Sequence, residues 1–237
     1  MVDLTREMAD LMSALGRPQG QRGRVIMFVA AIGGEGVSTV SREFARCEAA
    51  FAARPIWLID ADLRRQGQMI SVAEDAARFG PPGTLSQASP DGSAFFAISP
   101  KARGKDGQPI PDAKYLVARP FLAGNLWVTR FNRQNLAPGQ RVGLVDAAPY
   151  WKVLRKHAQT VVIDAPAADR SGAVLQLAPQ VDGVVMVVSE DEGDVQARLN
   201  LKNDIEHVGG RLIGMVYNRA SQAKRSGLRR MSRFAAL

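Results

Sequence analysis

Fully apolar runs alternate along this chain with stretches of helical periodicity. A run beginning near Val25, then residues 56–59, 160–163, 184–188 and 212–217, lack the apolar–polar alternation of a half-exposed strand and read as strands buried on both faces. Residues 95–98 and 126–128 are short strand candidates. Between these lie helical segments. Met8, Leu11, Met12 and Leu15 fall at i, i+3, i+4 and i+7, which predicts an amphipathic helix over 5–15 whose apolar stripe must dock on something. Residues 38–53 hold no Gly or Pro and read as a helix ended by Arg54-Pro55, and 146–159, 171–179 and 194–208 are helical in character. Buried strands separated by helices predict an α/β fold, a mostly parallel sheet with helices on both faces. No internal repeat is visible.

The pattern divides the chain into an N-terminal helix and linker (1–20), one domain (21–220) and a tail (221–237). Over 80–139 it loosens into turn clusters, and 100–112 reads as an exposed, mobile insertion. At 237 residues and 46% hydrophobic composition the chain can bury a substantial core, and no apolar run approaches the roughly 18 residues of a membrane span. The first fifteen residues carry Asp3, Glu7 and Asp10 and lack a basic start, so they do not read as a signal peptide and the expected location is the cytoplasm. The single cysteine, Cys47, excludes an intramolecular disulfide and a cysteine-based zinc cluster, and reads as a core thiol.

The formal charge of +8 is localised. From Arg219 onward there are six basic residues and no acidic one, and a second basic excess lies between Lys101 and Arg133. In the tail, Leu228, Met231 and Phe234 fall near helical spacing among arginines, giving two readings: a basic segment for an anionic membrane or acidic partner, or a solubilising tail.

The candidate chemistry sits at strand ends. After the first apolar run come Gly33, Gly34, Glu35, Gly36, Val37, Ser38 and Thr39. Glycines after a buried strand can close backbone N–H groups around phosphate oxygens at a helix N-terminus, and a P-loop completes the site with Lys and Ser/Thr. Val37 stands where the lysine belongs and offers neither charge nor donor. Read alone, the stretch fits either a weakened phosphate loop or a plain glycine turn. Asp60 and Asp62 end the run 56–59 and suit either magnesium binding and hydroxyl activation or a polar strand end. Asp164 ends the run 160–163 in the manner of a Walker B carboxylate.

Together these motifs resemble the bacterial tyrosine kinase (CpsD/CapB-like) branch of the MinD/ParA group of deviant Walker P-loop ATPases. Gly34-Glu35-Gly36-Val37-Ser38-Thr39 stands where that branch has Gly-Glu-Gly-Lys-Ser-Thr. Residues 58–65, LIDADLRR, match its second Walker motif, and 161–166, VVIDAP, its Walker B. The resemblance implies a three-layer αβα P-loop domain binding ATP or ADP with magnesium. By it Ser38, Asp60 and Asp164 hold the metal, Asp60, Asp62 and Asp164 serve catalysis, and Asn218 lies near the adenine. The chain departs from the pattern at Val37. Ile32 replaces the further signature lysine of the MinD/ParA relatives, and Gly172 an aspartate after Walker B. The C-terminal tyrosine cluster and the N-terminal Glu-x-x-Arg-x-x-Arg pattern used in ring assembly are absent from the sequence.

The resemblance therefore implies a cytoplasmic regulator or scaffold of exopolysaccharide or capsule synthesis and export with weakened or lost phosphotransfer. Its implied partners are a membrane-embedded polysaccharide co-polymerase, an anionic membrane surface reached by the basic tail, and other copies of the chain, with nucleic acid disfavoured. Two alternatives stay open: an active tyrosine autokinase borrowing a lysine from the insertion between Lys101 and Lys114, and a MinD/ParA-like positioning ATPase.

Overall fold

The computed structural model describes residues 4–16, 18, 22–104, 106–190 and 194–219. Its centre is a run of parallel strands: β1 (Arg24–Val29), β2 (Ile56–Asp60), β6 (Leu126–Phe131), β8 (Thr160–Asp164), β9 (Gly183–Ser189) and β10 (Leu212–Asn218). Two further strands, β3 (Ser86–Gln87) and β5 (Leu116–Phe121), extend the sheet antiparallel beyond β6, giving the order β10-β9-β1-β8-β2-β6-β5-β3. A separate antiparallel ribbon joins β4 (Phe96–Ser99) to β7 (Arg141–Leu144).

The apolar runs of β1, β2, β8 and β9 are buried on both sides, as their pattern requires, whereas the run 212–217 forms the edge strand β10, which has no fully buried residue and exposes Met215 and Tyr217. Along β1, Val25, Met27 and Val29 enter one core layer while Ile26 and Phe28 enter the other. One layer packs the sheet against α2 (Val37–Ala49), α3 (Gln68–Glu74) and α4 (Ala76–Phe79); the other packs it against α5 (Ala148–His157), α6 (Ala173–Leu177) and α7 (Val195–His207). Each fully buried Val, Leu, Ile or Phe contributes about 1.5–3 kcal/mol. This is the three-layer α/β arrangement expected.

Helix α1 (Thr5–Leu15) docks its stripe on the α2 side: Met8 is buried, and Leu4, Leu11, Met12 and Leu15 pack on the same layer. Arg46 donates to the Thr5 hydroxyl at 2.9 Å, and Arg24 donates to the Leu15 and Gly16 carbonyls at the end of α1. Cys47 is buried, and burial pushes its thiol pKa up.

Some elements differ from the sequence reading. The helix expected over 38–53 stops at Ala49, where the Ala50 and Phe51 N–H groups tighten onto the Cys47 and Glu48 carbonyls. Strands β3, β5 and β7 and helices α3 and α4 were not expected. β5 carries Arg119 and Pro120, which antiparallel strands near an edge tolerate and central parallel ones do not. Within 100–112, Arg103 bridges Pro109, Lys101 pairs with Asp112, and Ala102 and Ile110 pack against the core. The basic tail lies outside the described residues.

Candidate nucleotide site

Strand β1 ends against a crevice of about 370 Å³ at the C-terminal edge of the sheet. Open α/β sheets bind ligands at that edge. Gly33, Gly34, Glu35, Gly36, Val37, Ser38 and Thr39 line it, together with Asp60, Asp62 and Asp164. The sequence-predicted loop, strand-end aspartates and Walker B carboxylate thus converge.

Gly34 (φ 102°) and Gly36 (φ 93°) adopt the left-handed conformation that turns the loop back toward α2. Gly36 is the N-cap of α2, and no side chain caps that terminus. The Thr39 and Val40 N–H groups donate to the Gly36 carbonyl at 3.1 and 3.0 Å, and those of Val37 and Ser38 precede the first of these bonds at the positive end of the helix dipole, which suits a phosphate.

Asp60 and Asp164 are adjacent in register on β2 and β8 and are 2% and 4% exposed. Asp60 Oδ1 accepts from the Asp62 N–H at 3.2 Å and Oδ2 from the Gln68 N–H at 3.0 Å. Asp164 Oδ2 accepts from Gln68 Nε2 at 2.6 Å, whereas Asp164 Oδ1 is buried with no partner. Burial, with the Asp164 charge next, pushes the Asp60 carboxyl well above the usual range. Burial also raises Asp164, and the hydrogen bond from Gln68 offsets part of that rise. Asp62 is half-buried, and its Oδ1 accepts from the Arg64 and Arg65 N–H groups, so it turns the chain at the crevice wall.

A buried carboxylate oxygen without a donor, beside a second buried carboxylate and the Ser38 segment, is the donor chemistry of a hard cation. Ser38, Asp60 and Asp164 therefore fit magnesium. Among the described residues no three His, Cys, Asp or Glu side chains form a cage. Magnesium keeps several waters and substrate phosphates in its shell and needs no such cage.

Glu35 and Asn218 support the loop from behind. Glu35 is fully buried, and its Oε1 accepts from Arg198 Nη2 at 2.6 Å and from the Ser189 N–H at 3.2 Å. Its Oε2 accepts from the Ile32 N–H at 3.2 Å. Asn218 Nδ2 donates to the Glu35 carbonyl at 2.9 Å, and a Cβ on Gly36 would collide with it. The side chain that the resemblance places near adenine thus braces the glycine loop.

Val37 belongs to the crevice lining but brings it no charge. Its side chain is 7% exposed and packs in the core layer with Val40, Phe44 and Phe28. Lys101 and Lys114 do not line the crevice, and Lys101 is paired with Asp112; Lys105 lies outside the described residues.

The sequence reading assigned no role to four residues of the site, Gln66, Gln68, Arg65 and Arg170. Gln68 Nε2 also donates to the Ser38 carbonyl at 2.8 Å, and Arg42 holds Gln68 Oε1 at 3.1 Å, so the side-chain amide ties the loop to Asp164 while the backbone N–H of the same residue holds Asp60. Gln66 adopts φ 51° and donates to the Asp60 and Asp62 carbonyls. Arg170 and Arg65 bring positive charge to the crevice. A separate groove of about 1080 Å³, lined by Arg22, Trp151 and Lys152 among others, lies at the opposite edge of the sheet and touches none of these groups.

No family model matches the chain, and no curated protein matches its sequence. Solved structures do match its fold. The kinase domain of Escherichia coli tyrosine kinase ETK aligns at 16% identity and TM-score 0.56, covering 92% of this chain and 76% of that one. MinD cell division protein of Aquifex aeolicus aligns at 15% identity and TM-score 0.51, covering 86% and 73%. Cobyrinic acid a,c-diamide synthase from Mycobacterium smegmatis, with bound ATP analog and magnesium, aligns at 13% identity and TM-score 0.53, covering 90% and 83%. The fold is that of the tyrosine kinase and MinD-like P-loop proteins that the motifs resemble.

Proposed function

We propose that this chain is a tyrosine-kinase-like P-loop protein that binds a magnesium–nucleotide complex with phosphotransfer weakened or lost, and acts as a regulator or scaffold in exopolysaccharide or capsule synthesis and export. The observation that carries the nucleotide reading is Asp164 Oδ1, an unpartnered buried carboxylate oxygen facing a glycine loop and an uncapped helix N-terminus. The M. smegmatis neighbour of the same fold, with its ATP analog and magnesium, supports that reading.

The N–H groups of the glycine loop and first turn of α2 would donate to the phosphate oxygens, and Ser38, Asp60 and Asp164 would hold the metal. Magnesium, when bound, supplies charge neutralisation and alignment of the phosphate oxygens. Asp62 stands at the crevice wall to orient an attacking hydroxyl. Val37 leaves the loop without the lysine that stabilises charge developing on the transferred phosphate, and losing one such stabiliser costs about 10²- to 10³-fold in rate. Binding survives that loss better than transfer.

The kinase-domain likeness supports placing the protein at the cytoplasmic end of a membrane-embedded polysaccharide co-polymerase, with the basic residues of 221–237 on an anionic membrane surface. The functional test is calorimetry of nucleotide binding with and without magnesium, paired with phosphate release on the same sample. Tight binding of adenine nucleotides equally without magnesium, or fast release, contradicts the proposal.

A further inference from the structure

We propose that Arg170 supplies the phosphate-binding cation of this site in place of the missing loop lysine, contacting the terminal phosphates of a nucleoside triphosphate through its guanidinium. This inference rests on the nucleotide reading above and assigns the positive charge that reading lacks.

The geometry begins with the loop that follows β8. It is fastened onto the glycine loop by three hydrogen bonds. The Ala168 N–H donates to the Ala30 carbonyl at 3.0 Å, the Asp169 N–H to the Ala31 carbonyl at 3.1 Å, and the Gly33 N–H to Asp169 Oδ2 at 3.1 Å. The next residue is Arg170. Its guanidinium lies against the Cα of Gly33, so closely that a Cβ at that position would fall inside it. Gly33 is thus the position where a side chain would evict the cation, and glycine is what the sequence has there.

The guanidinium is available to a ligand. Its ion-pair partner among the described residues is Asp169, at 3.9 Å, and both side chains are about two-fifths exposed (42% and 41%). An exposed pair at that distance is worth little. A phosphate offers a guanidinium two parallel charge-assisted hydrogen bonds, which outcompete such a contact. Arg65, the other described arginine lining the crevice, is exposed and leaves the sequence through the Asp62 turn rather than through the glycine loop. The side chain at 37, buried in the core, leaves the phosphate end of the crevice to Arg170. A guanidinium in place of the loop lysine keeps a positive charge at the phosphates while changing its origin from α2 to the β8 loop.

The test is isothermal calorimetry of Mg·ATP and of adenosine on the full chain and on Arg170→Gln, Arg170→Lys and Arg65→Gln, with thermal melting to verify folding. The inference expects Arg170→Gln to weaken ATP by roughly tenfold or more. Adenosine binding and melting stay unchanged, Arg170→Lys recovers part of the loss, and Arg65→Gln has a smaller effect. ATP affinity unaltered in a folded Arg170→Gln variant, while the unmutated chain binds ATP, overturns this inference and leaves the nucleotide reading standing. A larger loss at Arg65 than at Arg170 also overturns it. Failure of the unmutated chain to bind ATP at all is a different result, which removes the nucleotide reading itself.

Discussion

Gln68 Nε2 donates to Asp164 Oδ2 at 2.6 Å while the Gln68 backbone N–H donates to Asp60 Oδ2 at 3.0 Å, so one residue at the start of α3 holds one oxygen of each buried carboxylate. Removing the amide with Gln68→Ala leaves Asp164 Oδ2 and the Ser38 carbonyl short of a donor. The expected cost is about 1–3 kcal/mol of folding stability. Urea unfolding measures it as a lower midpoint with unchanged slope. An unaltered midpoint would show that water replaces the amide without penalty.

The two carboxyls also set a pH dependence. Both are raised in the folded protein, first by burial. Above the ordinary carboxylate range, about pH 4, the unfolded chain has released protons that the folded chain still holds, so stability falls as pH rises toward and through neutrality. Metal-free protein should therefore melt at lower temperature at pH 8 than at pH 5, and Asp60→Asn should flatten that slope. Magnesium with nucleotide should stabilise more at pH 8, where its carboxylate ligands are ionised. A melting temperature that climbs steadily over this range in metal-free protein contradicts the assignment.

Lysine at position 37 tests what the loop has lost. Val37→Lys should tighten Mg·ATP roughly tenfold through a charge-assisted contact. It should also cost about 1–2 kcal/mol of stability, because a buried valine leaves the core. Calorimetry and thermal melting report the two effects separately. Tighter binding without any stability loss would mean that the side chain at 37 does little in the core.

The basic tail is tested by deletion. Removing residues 221–237 takes out five of the six basic residues that follow Tyr217. Each basic residue near anionic headgroups is worth about 1 kcal/mol. Co-sedimentation with anionic vesicles should fall sharply, and equal partitioning of the truncated and full chains would leave the tail without a membrane role.

The central strands and the carboxylates at their ends were legible in the sequence for one physical reason. Strands buried on both faces must be apolar throughout, so a polar residue that interrupts such a run, Asp60 or Asp164, marks the strand end where ligands bind. Antiparallel strands outside the parallel centre follow weaker rules, and β5 with Arg119-Pro120 and β7 with two exposed positions carried no comparable signal. The supporting side chains were hidden for a different reason. Gln68, Arg198 and Arg170 act on the glycine loop across separations of 30 to 163 residues or through a loop docked upon it, and no local pattern encodes those meetings. Val37 was legible as a missing lysine, whereas its burial in the core was not. Asn218 was read by resemblance as an adenine neighbour, and the bond from its amide to the Glu35 carbonyl was not foreseen.

The central claim is magnesium-dependent nucleotide binding without efficient transfer. Calorimetry of ATP with and without magnesium, followed by phosphate release and anti-phosphotyrosine detection on the same sample, tests it most directly. Weak binding that strengthens with magnesium, little phosphate release and no phosphotyrosine are the expected results. Binding indifferent to magnesium, or robust phosphotyrosine on the unmutated chain, would contradict it.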